Sequence, residues 1–233
     1  MDKKKFLTFS YDDGVTQDIR LIELFNKYGM KATFNLNSEL LGKDGALVRE
    51  GARITHIKNK KEDIKYIYAG HEVAAHTLTH PTLSQVDDAA EIIRQVEQDR
   101  LNLSDLCGYE VLGMAYPGGG INYNDFAAET IKNHTGIKYA RTTVSSHNFE
   151  PQDNLYQFKP SVYHHGEMDK MFEMGEQFLN LQTDVPQIFY VWGHAYEFDI
   201  HNEWGRFEEF LQMMSGREDI CYCTNLEALM REK

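Results

Sequence analysis

Five side chains stand where they could do chemistry together. Asp12 and Asp13 are adjacent at the end of an apolar run, His76 and His80 are four residues apart, and His194 follows Trp192-Gly193. Two like charges at the end of an apolar strand repel in a partly desolvated place, and a divalent cation is the natural group to offset that. One carboxylate can then ligate while its neighbour stays free as a base. On a helical turn His76 and His80 share one face, about 6 Å apart along the axis, so both imidazoles can reach one ion. Two histidines plus one carboxylate leave coordination positions open for water and substrate, the pattern of a catalytic metal site. Either half alone is ordinary. Asp-Gly is a common turn former, and with 10 histidines a pair at this spacing arises by chance. The combination is far more specific.

Such residues need elements to position them, and the periodicity alternates strands with helices. Lys5 to Tyr11, Ala32 to Leu36, Glu72 to Ala75, Val111 to Tyr116, Ile137 to Thr143, Gln187 to Trp192 and Ile220 to Cys223 read as strands. Asp18 to Tyr28 reads as a helix with Ile19, Ile22, Leu24 and Phe25 inward. Ser84 to Leu106 reads as a long one, N-capped by Ser84, with Ile92, Ile93, Val96, Leu101 and Leu103 buried. Further helices fall near Asp125 to Asn133, Met168 to Leu181, Glu203 to Met214 and from Asn225. Charged residues dominate Lys43 to Lys65, read as a solvated helix or excursion, and Val144 to Pro160 reads as loop. Repeated β-then-α units imply a parallel sheet, either doubly wound or a barrel. Both architectures put active sites at the C-terminal ends of strands. Asp12-Asp13, His76 to His80, Tyr116-Pro117-Gly118 and Trp192-Gly193-His194 all follow predicted strands.

Length and composition set the frame. A chain of 233 residues with 42% hydrophobic and 26% charged residues has globular proportions, and 1–233 reads as a single domain. The formal charge of -12 argues against partners bound by phosphate neutralisation, whether nucleic acid or an anionic membrane. Cys107, Cys221 and Cys223 are too few for a disulfide framework, and the last two read as alternation along a strand. The lysines after Met1-Asp2 are not followed by a signal-peptide apolar stretch, and no window matches a membrane span. The chain therefore reads as soluble and most simply cytoplasmic.

Ser10-Tyr11-Asp12-Asp13-Gly14 resembles the Thr-Phe-Asp-Asp-Gly motif of the polysaccharide deacetylases (carbohydrate esterase family four, the nodulation-type chitooligosaccharide deacetylase homology domain). Gly70-His71-Glu72 followed by His76-Thr77-Leu78-Thr79-His80 is similar to that family's second motif. Tyr116-Pro117-Gly118 falls where its Arg-x-Pro-aromatic motif belongs, and His194 where its late histidine belongs. Lys31-Ala32-Thr33-Phe34 and Cys223-Thr224-Asn225-Leu226-Glu227 are similar too, so the resemblance runs from about Lys5 to Leu229.

Residue by residue, the resemblance implies Asp13, His76 and His80 as metal ligands, Asp12 as general base and His194 as general acid. The Gly118 N–H would share oxyanion stabilisation. The implied fold is α/β, a distorted, incomplete (β/α) barrel of about seven parallel strands. The implied activity is metal-dependent removal of acetyl from an N- or O-acetylated saccharide, with zinc first among the divalent ions and cobalt, nickel or manganese also suitable. Hydrolysis of another small amide or formamide, or non-catalytic carbohydrate binding, stand as alternatives. Tyr116, Pro117 and Trp192 could wall the substrate or be ordinary core. The family's motif arginine is replaced by Ala115, and Arg141 is the candidate substitute partner for Asp12. No Asp-x-x-Asp-Trp element orients His194; Glu197 and Asp199 could do so or could bind substrate. His164-His165 could line the pocket, whereas His56, His134 and His201 read as surface residues.

Overall fold

A computed structural model of the chain describes residues 3–231. Met1 and Asp2, which open the lysine-rich N-terminus, and the last two residues of the 1–233 span lie outside the described residues. In chain order the elements are β1 (Lys5–Asp12), α1 (Gln17–Lys27), β2 (Thr33–Leu36), β3 (Ala46–Arg49), β4 (Ala52–Thr55), α2 (Ile64–Ile67), β5 (Glu72–Ala75), α3 (Ala89–Cys107) and β6 (Gly113–Ala115). They continue with α4 (Asp125–His134), β7 (Tyr139–Arg141), β8 (Val162–Tyr163), α5 (Met168–Asn180), β9 (Gln187–Gly193), α6 (Trp204–Met214), β10 (Ile220–Tyr222) and α7 (Asn225–Leu229).

The main sheet runs β7-β6-β5-β2-β1-β9-β8, every pairing parallel, with β10 added beside the start of β1. It curls without closing, an open half-barrel of seven parallel strands with β10 as a short extra, as the expected incomplete barrel requires. β1 is the hub. Its first seven residues pair with β9 and its last three with β2, and seven of its eight residues are buried. Its sequence still alternates, Leu7, Phe9 and Tyr11 with the buried polar Thr8, Ser10 and Asp12, whereas its neighbour β9 is the almost wholly apolar run expected of a strand covered on both faces. Phe9, Phe25, Phe198 and Phe207 fill the space between the sheet and helices α1 and α6. Among the described residues no helix is long and apolar enough to cross a membrane, and all three cysteines are free.

Three expectations about elements need correction. α3 starts five residues later than Ser84 suggested. Asp88 is its N-cap, accepting from the Ala90 N–H at 2.9 Å, and an aspartate there also suits the positive end of the helix dipole. Ser84 sits in a preceding single turn and donates instead to the Ile121 carbonyl (2.8 Å). Leu101 and Ile19, expected inward, are exposed; Leu21 takes the inward place in α1. The charged stretch 43–65 is neither one solvated helix nor a detached excursion, and only its end is helical, where a turn at Lys61–Asp63 leads into α2. It holds the antiparallel hairpin β3–β4, whose two-residue turn Glu50-Gly51 has positive φ at both positions (50° and 80°), as a tight hairpin of this twist demands.

Candidate active site

Because the main strands are parallel, their C-terminal ends share one rim. Asp12 ends β1, His76 follows β5, Ala115 ends β6, Arg141 ends β7 and His194 follows β9. A cavity of about 860 Å³ opens there, and Asp12, Asp13, His76, His80, Gly118, Trp192 and His194 all line it. The chain leaves β1 through Asp13 and Gly14, both at positive φ (86° and 63°). A side chain at Gly14 would meet Leu36 at 2.7 Å, so only glycine lets the chain turn there and swing Asp13 back over the rim.

Asp13, His76 and His80 each offer one ligand atom, all within 4.8 Å of one another. The geometry that brings the histidines together is not the helical turn their spacing suggested. Thr77 and His80 both have φ of 66°, and the Thr77 hydroxyl accepts from the His80 N–H at 3.1 Å. Pro81 disfavours the right-handed helical region for His80, though it does not explain the left-handed φ at either residue. The two rings nevertheless lie 4.9 Å apart, centre to centre.

His76 is fixed by its Nδ1, 2.8 Å from the Ala115 carbonyl. A carbonyl only accepts, so Nδ1 carries the proton and Nε2 is left bare toward the carboxylates. Burial lowers the His76 pKa to about 4 and also depresses that of His80, keeping both neutral and able to ligate. Burial alone would raise Asp13. A hydrogen bond from His56 and the Lys58 ammonium outweigh it and hold the carboxyl well below the usual range. The donor set is thus anionic oxygen plus two bare imidazole nitrogens, which fits a zinc-type ion.

Asp12 has two different oxygens. Oδ1 accepts from the Asn35 amide (2.8 Å) and from Arg141 Nη2, while Oδ2 faces the cavity, 3.9 Å from His76 Nε2 and 4.0 Å from His194 Nε2. Burial would raise its pKa, but Arg141 reverses the direction and the carboxyl stays ionised. Arg141 is fully buried, with its guanidinium 4.4 Å from the centre of the Trp192 ring. In the β6–β7 register the partner of Ala115 is Arg141 itself. The guanidinium missing from one strand is supplied from the adjacent position on the next.

His194 Nδ1 lies 3.0 Å from Glu197 Oε1, and Glu197 Oε2 accepts from the His194 backbone N–H at 3.0 Å. Burial pulls the imidazole pKa down, but the Glu197 carboxylate lifts it to about 9. Glu197 is fully buried and also accepts from Tyr163 and Arg49, so it does not touch substrate as expected; it holds His194. Asp199 serves neither purpose, bonding Gln17 and the Trp204 indole.

Other expectations divide. Gly118 lies on the cavity wall at φ 88°, where a side chain would meet the Thr82 hydroxyl at 2.7 Å. Trp192 also lines the wall, stacked on Tyr163 with centres 4.3 Å apart. Tyr116 and Pro117 are buried off the cavity, and the Tyr116 hydroxyl is occupied by the Tyr156 carbonyl (2.9 Å), so both belong to the core. His164 is fully buried beneath the site, between the Tyr11 hydroxyl (3.0 Å) and Glu197 (3.2 Å), and His165 pairs with Glu50. His56, expected at the surface, stands 3.3 Å from Asp13, whereas His134 is exposed and His201 pairs with Glu50. Sequence reading missed Lys58, Arg49 and Asn35. Asn35 alone carried a signal, a polar residue amid the apolar β2, two positions past Thr33.

A family model described as polysaccharide deacetylase matches residues 1–140. No curated protein matches the chain. The structure is similar to the Xyl-CE4 domain of a multidomain xylanase from the hindgut metagenome of Trinervitermes trinervoides (TM-score 0.59, 15% identity, 97% of this chain and 90% of that one). It is also similar to a family 4 carbohydrate esterase from Streptomyces lividans in complex with acetate (TM-score 0.57, 12% identity, 94% and 92%). A third is a family 4 acetyl xylan esterase from Clostridium thermocellum in complex with a cobalt ion (TM-score 0.50, 14% identity, 90% and 82%). At such identities these likenesses speak for the fold alone. With the family model covering 140 of its 233 residues, the chain belongs to the polysaccharide deacetylase family.

Proposed function

We propose that the protein is a metal-dependent hydrolase that removes acetyl groups from an N- or O-acetylated saccharide, with residues 1–233 acting as one catalytic domain. One observation carries this reading: a single cavity gathers an Asp/His/His donor set, a free carboxylate oxygen and a protonatable imidazole, the last two each held by its own buried partner. A divalent ion held by Asp13, His76 and His80, zinc first and cobalt, nickel or manganese as substitutes, would lower the pKa of water towards 7 and polarise the acetyl carbonyl. Asp12 Oδ2 is the base that takes the proton from the attacking water. Arg141 and Asn35 occupy Oδ1 and so keep Oδ2 aimed at the cavity. His194 Nε2 returns a proton to the departing amine or alcohol, its other nitrogen held by Glu197. The Gly118 backbone N–H on the cavity wall would donate to the developing oxyanion, and Trp192 would supply a flat face for the sugar or the acetyl methyl.

A cavity of about 860 Å³ is ample for a sugar with its acetyl group. The test is acetate release from acetylated glucosamine oligomers, acetylated xylan and small acetamido sugars, with and without added metal. Release that requires the metal is expected. Release from none of them, alongside turnover of a simple formamide or mere sugar binding, would replace this reading with one of its alternatives. His80→Ala should drop bound metal below stoichiometry after mild chelation while the fold persists, because His80 is a partly exposed rim residue. Full metal retention would remove it from the ligand set.

A further inference from the structure

One buried charge has no part in that chemistry. Lys58 is 6% exposed, and its ammonium donates to Asp13 Oδ1 (3.0 Å) and to the Asp13 carbonyl (2.7 Å). The backbone fixes its aim. Lys58 bridges to Val15, its N–H donates to the Lys43 carbonyl (2.9 Å), and the next N–H, of Asn59, donates to the Gly14 carbonyl (2.8 Å). The segment is therefore sewn directly against the turn that presents Asp13. Asp12 is matched in the same way by Arg141. Each carboxylate on the rim thus has a buried cation of its own.

We propose that Lys58 is a built-in counter-ion that weakens the hold of Asp13, His76 and His80 on a divalent metal and steadies Asp13 when no metal is bound. The proposal rests on reading those three residues as metal ligands. An ion arriving at the site must share one carboxylate with an ammonium already 3.0 Å from it, and like charges at such range in partly dry surroundings repel strongly. An opposing effect exists, since outer partners orient ligands and their loss can weaken metal binding about 10–100-fold. Here orientation does not depend on Lys58 alone: the Asp13 N–H donates to the Asn35 carbonyl (3.0 Å) and His56 stands on Oδ2. Removing the charge therefore outweighs removing the donor. Occupancy of the site in the native protein would follow the free metal concentration.

Cobalt(II) titration of metal-free protein, read by visible absorption and calorimetry, tests this without reference to activity. Lys58→Gln should bind cobalt about tenfold more tightly than the unaltered chain. In chelator it should melt earlier, with the gap closing once cobalt is added. Lys58→Met, which keeps the aliphatic stem, serves if the first variant folds poorly. A purely packing role would lower melting equally with and without metal and leave the Kd unchanged. Affinity equal to or weaker than that of the unaltered chain overturns the proposal while leaving the metal site standing. Absence of cobalt uptake by every form removes the metal reading, and the proposal with it.

Discussion

Asp12→Asn should retain its metal and lose about 10²–10⁴ in kcat, the usual worth of a positioned base. The substitution is nearly isosteric, and Asp13, His76 and His80 are untouched. What changes is the corner facing the cavity. In the carboxylate, Oδ1 satisfies Arg141 and Asn35 and Oδ2 remains a free acceptor. An amide has one oxygen for both duties. If that oxygen keeps Arg141, the cavity receives an NH₂ group that cannot take a proton; if it turns outward, a fully buried guanidinium faces a donor. Losing a buried ion-pair partner outright costs about 3–5 kcal/mol, and the surviving carbonyl should reduce that. Metal content, melting temperature and kcat on one acetylated substrate decide the matter together. Undiminished kcat in a metal-replete variant would place the base elsewhere.

The second large effect belongs to Glu197→Gln. His194 can act as an acid only while protonated, and Glu197 raises its pKa to about 9 against the pull of burial. The native rate should therefore hold through neutral pH and fall as pH rises through about 9. With the carboxylate gone the desolvation remains and its main counterweight does not; Asp12 and Asp13 still favour the charged ring, so the alkaline limb should move down from about 9 towards the ordinary imidazole value near 6.5. At neutral pH most of the variant would then be in the wrong protonation state, a loss of about fourfold at pH 7 for a pKa near 6.5, growing about tenfold with each further pH unit until the native limb near 9 is reached. Arg49, Tyr163 and His164 also lean on this carboxylate, so melting should drop by a further measurable amount. A pH–rate profile that kept its alkaline limb would show that His194 is not the titrating acid.

How much of this was legible in the sequence depended on the kind of signal. Asp12-Asp13 and His194 were readable because a polar residue ending an apolar parallel strand has one destination, the shared rim. Arg141 was readable because Ala115 left a buried carboxylate needing a cation, and β7 is the neighbouring strand. The His76–His80 spacing gave the right partners through the wrong geometry, since i and i+4 suggests a helical turn, which the left-handed backbone at Thr77 and His80 breaks. Lys58 was illegible. In Lys58-Asn59-Lys60-Lys61-Glu62-Asp63 it looks like every other exposed charge, and only the bridge to Val15 buries it. Tyr116 and Pro117 misled because a motif position fixes an order along the chain, not a direction for a side chain. Glu197 was found, but its duty changed once it proved fully buried.

The arginine's move from β6 to β7 has a further consequence. β7 is three residues long and terminates the sheet order, and on its outer side Phe158 bridges Arg141, its N–H donating to the Ala140 carbonyl and its carbonyl accepting from the Thr142 N–H. The guanidinium that keeps Asp12 ionised thus stands on the last strand of the sheet order, all three residues of it buried, whereas Asp12 itself belongs to β1, which pairs with β2, β9 and β10. The charge state of a residue on the central strand is therefore set by the packing of the margin: a substitution that loosened β7 would cost Asp12 its cation and leave the pairing of β1 untouched.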